Sequence, residues 1–368
     1  MALSKRFVFA VFALILLFYG CGQPPPLPET LPSLLNDQDF WKLISDFSES
    51  EGYFPSDNFL SNESGYQDVI PALLETLKPG EVYIGVGPEQ NFTYIAAFQP
   101  RIAFIIDIRR QNMMEHLFYK ALMETSADRA DFLSRLFARP RVEDTINASP
   151  EELLRAYRLG HASPVLFETN VMRVIEYLKK QKGFKLTDQD EAGIRHVAQA
   201  FFKSGPELRY TFTGGYGDFR RWPSYAELMT ESDGVLRNWN FLATDDQFQL
   251  IQRFQKNNMI VPLVGDFAGP KTIRAVAQYV REHGSTVRTF YASNVEQYLF
   301  RDKENSKRFY DNVAFLPTDS TSTFIRYVLN GPEYGRPRTT LTSSMRSTMG
   351  AYRGGRLQDY YDLVNLSR

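Results

Sequence analysis

Glu81-Val82-Tyr83-Ile84-Gly85-Val86-Gly87-Pro88-Glu89-Gln90-Asn91, followed after ten residues by Ile102-Ala103-Phe104-Ile105-Ile106-Asp107, reads as strand, glycine turn, helix start, second strand and closing carboxylate. Val82-Tyr83-Ile84 is a short apolar run of β-forming residues. Gly85-Val86-Gly87 is a turn at which backbone can approach a ligand, and Pro88-Glu89-Gln90-Asn91 suits a helix N-terminus. Residues 102–106 are apolar without alternation, as in a strand covered on both faces of a parallel sheet. Asp107 lies 20 residues beyond Gly87, the spacing at which a carboxylate reaches ribose hydroxyls across such a turn. The stretch points to an α/β fold with a nucleoside-type pocket, and names no substrate.

Outward from it, strands and helices alternate. Helices are expected at 39–47, 68–77, 89–98 and 111–124, the last with Met114, Leu117, Phe118, Ala121 and Leu122 on one face. The segment 54–65 reads as loop. Residues 259–264 form a strand, 271–283 a helix closed by Gly284, 287–291 a strand, 294–301 a helix and 313–316 a further strand. This alternation predicts a doubly wound, mostly parallel sheet. Between about 125 and 244 the pattern is helical, with a capping box at Ser149-Pro150-Glu151-Glu152 and a helix opened by Thr187-Asp188-Gln189-Asp190 that carries Ile194, Val197, Ala198 and Phe201. We read that region as an insertion or cap within a domain spanning 36–330. The tail, 331–368, is rich in Gly, Ser, Thr and Arg and reads as an irregular arm.

Composition adds exclusions. With 42 basic and 43 acidic residues in 368, the net charge is −1, which leaves no electrostatic footprint for nucleic acid. An aromatic content of 14% suits a globular core rather than disorder. The N-terminus poses a separate problem. Lys5 and Arg6 precede an apolar run of 13 residues, 7–19, and Gly20 then precedes Cys21, the only cysteine. The run is short for a spanning helix and fits an export signal over 1–20. Leu17-Phe18-Tyr19-Gly20-Cys21 resembles the bacterial lipobox, whose cysteine is lipidated and becomes the new N-terminus. On that resemblance Cys21 anchors an exported chain to a membrane of the bacterial cell envelope, and the Pro-rich segment 21–35 holds the domain away from it. An uncleaved anchor with an incidental cysteine is the alternative. A single cysteine excludes intramolecular disulfides.

The ligand is narrowed by what the glycine turn lacks. A dinucleotide site wants a third glycine where this chain has Gln90, and Glu89 adds a carboxylate where a diphosphate would sit. A cofactor without phosphate and with cationic sulfonium and ammonium groups tolerates acid there. The 81–87 stretch is similar to the first motif of class I S-adenosylmethionine-dependent methyltransferases, and Asp107 matches the acidic residue closing their second strand. That resemblance implies a methyltransferase-like Rossmann fold. It implies S-adenosylmethionine as cofactor, with Gly85, Gly87, Glu89 and Asn91 around it and Asp107 on its ribose. A second group of residues falls where strands end: Gly265-Asp266-Phe267 after one strand and Ser293-Asn294 after the next. Together with Phe59-Leu60-Ser61-Asn62-Glu63 these stretches resemble a family of uncharacterised bacterial proteins, several of them lipoproteins. The resemblance implies that Asn62, Glu63 and Asn294 also contact the ligand. Asp266 is the candidate catalytic base or orienter. The alternative for Asp266 and Asn294 is helix capping.

Other features carry less. Gly214-Gly215-Tyr216-Gly217 with Arg220 and Arg221 lacks the strand-turn-helix context of a phosphate loop. His116, His161, His196 and His283 lack metal-ligand spacing and suit structural roles, so no metal is expected. The sequence therefore predicts a membrane-anchored lipoprotein with a methyltransferase-like Rossmann domain and a small-molecule nucleoside ligand. The alternatives are a non-catalytic envelope binding or scaffold module and, disfavoured by Gln90, an NAD-dependent oxidoreductase. Export and a cytoplasmic cofactor pull against one another.

Overall fold

The computed structural model describes residues 30–77, 79–143, 148–211, 222–328 and 339–367. Cys21 and most of its Pro-rich spacer, and the glycine cluster 214–217 with Arg220 and Arg221, lie outside them. The described residues open with α1 (Asp37–Phe47) and a short α2 (Ile70–Leu74), then enter β1 (Val82–Gly85), α3 (Gln90–Phe98), β2 (Ile102–Asp107) and α4 (Arg110–Thr125). Among the described residues five α-helices follow: α5 (Arg129–Phe137), α6 (Pro150–Leu159), α7 (Pro164–Glu176), α8 (Asp188–Ser204) and α9 (Tyr225–Thr230). The sheet pattern resumes with α10 (Asp245–Lys256), β3 (Ile260–Val264), α11 (Thr272–Glu282), β4 (Val287–Ser293), α12 (Val295–Leu299) and α13 (Lys303–Val313). It ends with β5 (Thr323–Val328), β6 (Thr339–Ser344), α14 (Met345–Arg353) and α15 (Tyr360–Leu366).

Among the described residues the six strands form one sheet in the order β3-β2-β1-β4-β5-β6. All neighbours are parallel except β5 and β6. Helices cover both faces: α1, α11 and α13 pack on one, α3, α4 and α10 on the other. The fold is thus α/β, doubly wound and Rossmann-like. Burial on both faces explains why β1, β2 and β3 are wholly buried and apolar in sequence. The order reverses between β1 and β4, so the connections leaving these two strands diverge and open a crevice at their carboxyl ends.

Helices α5 to α9 all fall between Thr125 and Thr244. They build outward from α4: Tyr119 of α4 meets Phe132 of α5 and Phe201 of α8 at ring separations of 6.2 and 5.9 Å. The capping box at Ser149 forms as the sequence predicts, and Thr187 opens α8 as expected, with a capping box of its own.

Two expectations near the C-terminus are corrected. Residues 313–316 are not a strand: α13 runs to Val313, and Asn312 is fixed in it by donating to the carbonyls of Phe267 and Gly269. A four-residue apolar run cannot by itself tell strand from helix end. The tail is not an irregular arm. Thr339–Ser344 pairs antiparallel with β5, and α14 and α15 pack after it with Met345, Leu363 and Val364 buried. The buried guanidinium of Arg326 on β5 holds that edge, reaching Glu296 of α12 and the Ser343 hydroxyl of β6.

Candidate functional site

The crevice holds a cavity of about 370 Å³. Val86 and Gly87 reach it from the β1 turn, Asp107 from the end of β2, Gly265 and Asp266 from beyond β3, Ser293 and Asn294 from β4. The segment 53–63, between α1 and α2, supplies a further wall with Phe54, Asn58, Ser61, Asn62 and Glu63. That segment is bound to the strand ends: the Gly52 amide donates to Ile108 O (2.8 Å), and Arg109 Nη1 donates to Ser56 O and Asp57 O (3.1 and 2.6 Å).

The sequence-singled residues divide into two layers. Gly87, Asp107, Asn62, Glu63, Asp266 and Asn294 all line the cavity, whereas Gly85, Glu89 and Asn91 lie behind it. Gly87 has φ +80°, a left-handed conformation that glycine adopts without strain. Gly85 is needed for packing, since a Cβ there would collide with Asn91 Oδ1 and the Tyr83 ring. Asn91 staples the turn from behind. Its Nδ2 donates to the carbonyls of Val86, Gly87 and Pro88, and its Oδ1 accepts from Tyr83 Oη (2.8 Å).

Glu89 does not place charge at the turn. Its carboxyl is fully buried, accepts from the Ser61 amide (3.3 Å), and is pushed by burial up to about 8, which keeps it protonated near neutrality. It belongs to a buried polar layer with Glu115 and His116. Burial, followed by repulsion from Glu89, pushes the Glu115 carboxyl well above its ordinary range. His116 Nε2 donates to Gly87 O (2.9 Å), and burial lowers this imidazole to about 4, so it is neutral with its proton on Nε2. Gln90, at the third-glycine position, crowds the turn instead. Its Nε2 lies 3.2 Å from where a Gly87 Cβ would sit and donates to Tyr291 Oη (3.0 Å).

Asp107 is not a bare carboxylate. Arg109, also buried, clamps it bidentately, Nε to Oδ1 at 2.9 Å and Nη2 to Oδ2 at 2.7 Å, while the Arg109 amide donates to Oδ1 (2.9 Å). Of about four lone-pair positions on a carboxylate, three are taken, leaving one on Oδ2. Asp266 accepts from the Ala268 amide (2.9 Å) and shapes its own loop. It does not cap α11: Glu49 does, accepting from the Lys271 and Thr272 amides at 2.7 and 2.8 Å. Asn294 stands at the N-cap of α12 without a side-chain capping bond.

Glu63 is the group the cavity has tuned most. Tyr291 Oη donates to its Oε2 (2.6 Å) and the Ser293 hydroxyl donates to its Oε1. Burial pushes the carboxyl up, against these two donors, to about 7. Ser293 and Asn58, both at the cavity wall, hold left-handed backbone with φ +51° and +49°. Such conformations in non-glycine residues cost on the order of 1–3 kcal/mol and cluster where a site demands them. At the mouth, Tyr298 meets Phe54 edge-on at 5.3 Å and carries the exposed Arg301 over its ring at 4.6 Å. Sequence reasoning missed Arg109 and Tyr291 as parts of the site, and quoted Ser293 only as the neighbour of Asn294. Only Arg109 left a signal, a cation two residues beyond the strand-ending acid.

Among curated proteins, the chain is 23% identical over 142 residues to an RNA replication protein of Potato virus X (strain HB), covering 35% of this chain and 10% of the viral protein. Identity to the RNA replication protein of Potato virus X strain CP is 22% over the same length. The chain therefore spans about a tenth of the length of these relatives. The family model described as a domain of unknown function (DUF7790) matches residues 58–200 and 220–353, which include most of the cavity wall. With well over half of its length matched, the chain belongs to the DUF7790 family.

Proposed function

We propose that the switch-point cavity binds S-adenosylmethionine or a closely related nucleoside, and that the domain is methyltransferase-like. The observation that carries this is convergence: Gly87, Asp107, Asn62, Glu63, Asp266 and Asn294, from separate stretches of sequence, surround one cavity at the carboxyl ends of β1, β2 and β4. In this reading Gly87 admits the amino-acid part of the ligand. The remaining lone pair on Asp107 Oδ2 accepts one ribose hydroxyl, with Arg109 holding the carboxylate in orientation. Glu63 and Asp266 make the wall suited to a cationic sulfonium and ammonium. Gln90 beside Gly87 supports a ligand without a diphosphate, because its side chain crowds the turn where such a group needs a third glycine. The neutral Glu89 takes no part in that exclusion.

A second reading keeps the ligand and drops the chemistry: a non-catalytic envelope module whose pocket senses or stores a nucleoside. The Arg109 clamp favours it, since three of the Asp107 lone pairs serve the fold. Lipidation at Cys21 and anchoring to a membrane are compatible with either. Thermal unfolding of the full-length protein with S-adenosylmethionine and with S-adenosylhomocysteine tests the binding claim. At a hundredfold excess over the dissociation constant the ligand adds roughly 2.7 kcal/mol of stability. Asp107→Asn is expected to diminish the gain while the fold persists. The absence of any shift with either nucleoside would remove the proposal.

A further inference from the structure

Glu63 stands opposite Asp107 across the turn. In the sheet order β2-β1-β4, Asp107 ends β2, Gly87 follows β1, and Glu63 is held by Tyr291 and Ser293 of β4. A nucleoside with its ribose at Asp107 and its chain over Gly87 directs its far end toward β4. The carboxyl there is fixed by a directed chain of donors, Gln90 Nε2 to Tyr291 Oη (3.0 Å) and Tyr291 Oη to Glu63 Oε2 (2.6 Å). Among the described residues no Lys, Arg or His pairs with Glu63 or with Asp266 within salt-bridge distance. Arg109 is committed to Asp107, and Arg301 lies at the exposed rim over Tyr298. The β4 end of the cavity thus holds Glu63 without a cationic partner and suits a cationic acceptor.

Resting on the proposed binding of S-adenosylmethionine, we infer that Glu63 is the proton acceptor for an amine substrate bound at the β4 end of the cavity. The ammonium form of the acceptor pairs with the Glu63 carboxylate and passes it one proton. The freed nitrogen lone pair then forms the N–C bond to the sulfonium methyl group. The C–S bond breaks, its electron pair stays on sulfur, and the sulfonium becomes a neutral thioether. A carboxyl poised near neutrality is matched to this transfer.

The test uses sinefungin, the analogue bearing an amine where the transferred methyl group sits, beside S-adenosylhomocysteine, which has only the thioether there. Calorimetric titration of the full-length protein is expected to favour sinefungin by roughly ten- to a hundredfold, the worth of a hydrogen bond to a charged group. E63Q is expected to lose that preference, so that the two nucleosides bind it within a few-fold of one another. In the wild type the preference is expected to grow as pH rises through about 7, as the carboxylate forms beside an amine that stays protonated. The other ionisable groups facing Glu63 are the Tyr83, Tyr94 and Tyr291 phenols, raised far above this range, and the Glu89 carboxyl behind the turn. Two nucleosides that bind equally, or a preference that is flat with pH and unchanged in E63Q, would overturn the role of Glu63 and leave the binding proposal standing. If neither nucleoside binds, both fall.

Discussion

Glu89→Gln should alter how the protein's stability depends on pH. The Glu89 carboxyl is fully buried, and burial raises it from 4.5 to about 8. Because the folded state holds this proton more tightly than the unfolded chain, the associated stability is fully present below about pH 4.5. It is lost as pH rises through about 8. Over the whole interval the linkage amounts to about 5 kcal/mol, and between about pH 5 and about pH 7.5 to about 3 kcal/mol. A glutamine there keeps an oxygen for the Ser61 amide and cannot ionise. Glu63 and Glu231, both raised to about 7 by burial, still titrate in the variant, so only the difference between the proteins is diagnostic. Urea unfolding at the two pH values measures it. The wild type is expected to lose about 3 kcal/mol more than the variant on going from the lower to the higher pH. Parallel losses in the two proteins would refute the claim that this carboxyl is protonated in the folded state.

Arg109→Ala leaves the buried Asp107 carboxylate uncompensated and is expected to destabilise the fold by about 3–5 kcal/mol in urea unfolding; a variant as stable as the wild type would show that the clamp is dispensable. NAD and NADP should give no heat of binding in calorimetry, with at most modest improvement from Gln90→Gly, and micromolar NAD affinity in the unmutated protein would contradict the ligand class. Cys21→Ala should abolish labelling by fatty acid and leave the precursor unprocessed when the chain is expressed in bacteria, because the thiol is the acylated atom; normal processing and membrane retention of the variant would remove the anchor.

The β1-turn-β2 unit was legible because backbone demands are written locally: apolar runs without alternation, paired glycines, and an acid at a fixed distance. The sheet's far edge was not. Thr339–Ser344 is a polar strand whose partner is β5 and whose anchor, Arg326, pairs with Glu296 some thirty residues upstream. Nothing within the segment announces either contact. The cavity was legible at its rim, where Asp107, Asp266 and Asn294 follow strand ends. Which groups face the cavity was decided by side-chain geometry that sequence does not carry. Gln90 turned over Gly87 while Glu89 turned inward, and burial then removed the charge on which the expected exclusion of diphosphate had rested. Glu63 was singled out by resemblance alone. Its position is fixed by Tyr291 and Ser293, more than two hundred residues away, and its raised carboxyl comes from burial that opposes those two donors.

Crystallising the full-length protein with S-adenosylhomocysteine tests the central claim most directly. The ligand is expected in the crevice between β1 and β4, with one ribose hydroxyl on Asp107 Oδ2, the chain over Gly87 and the sulfur toward Glu63. A crevice empty of ligand at saturating concentration, or a nucleoside seated elsewhere on the domain, would contradict it.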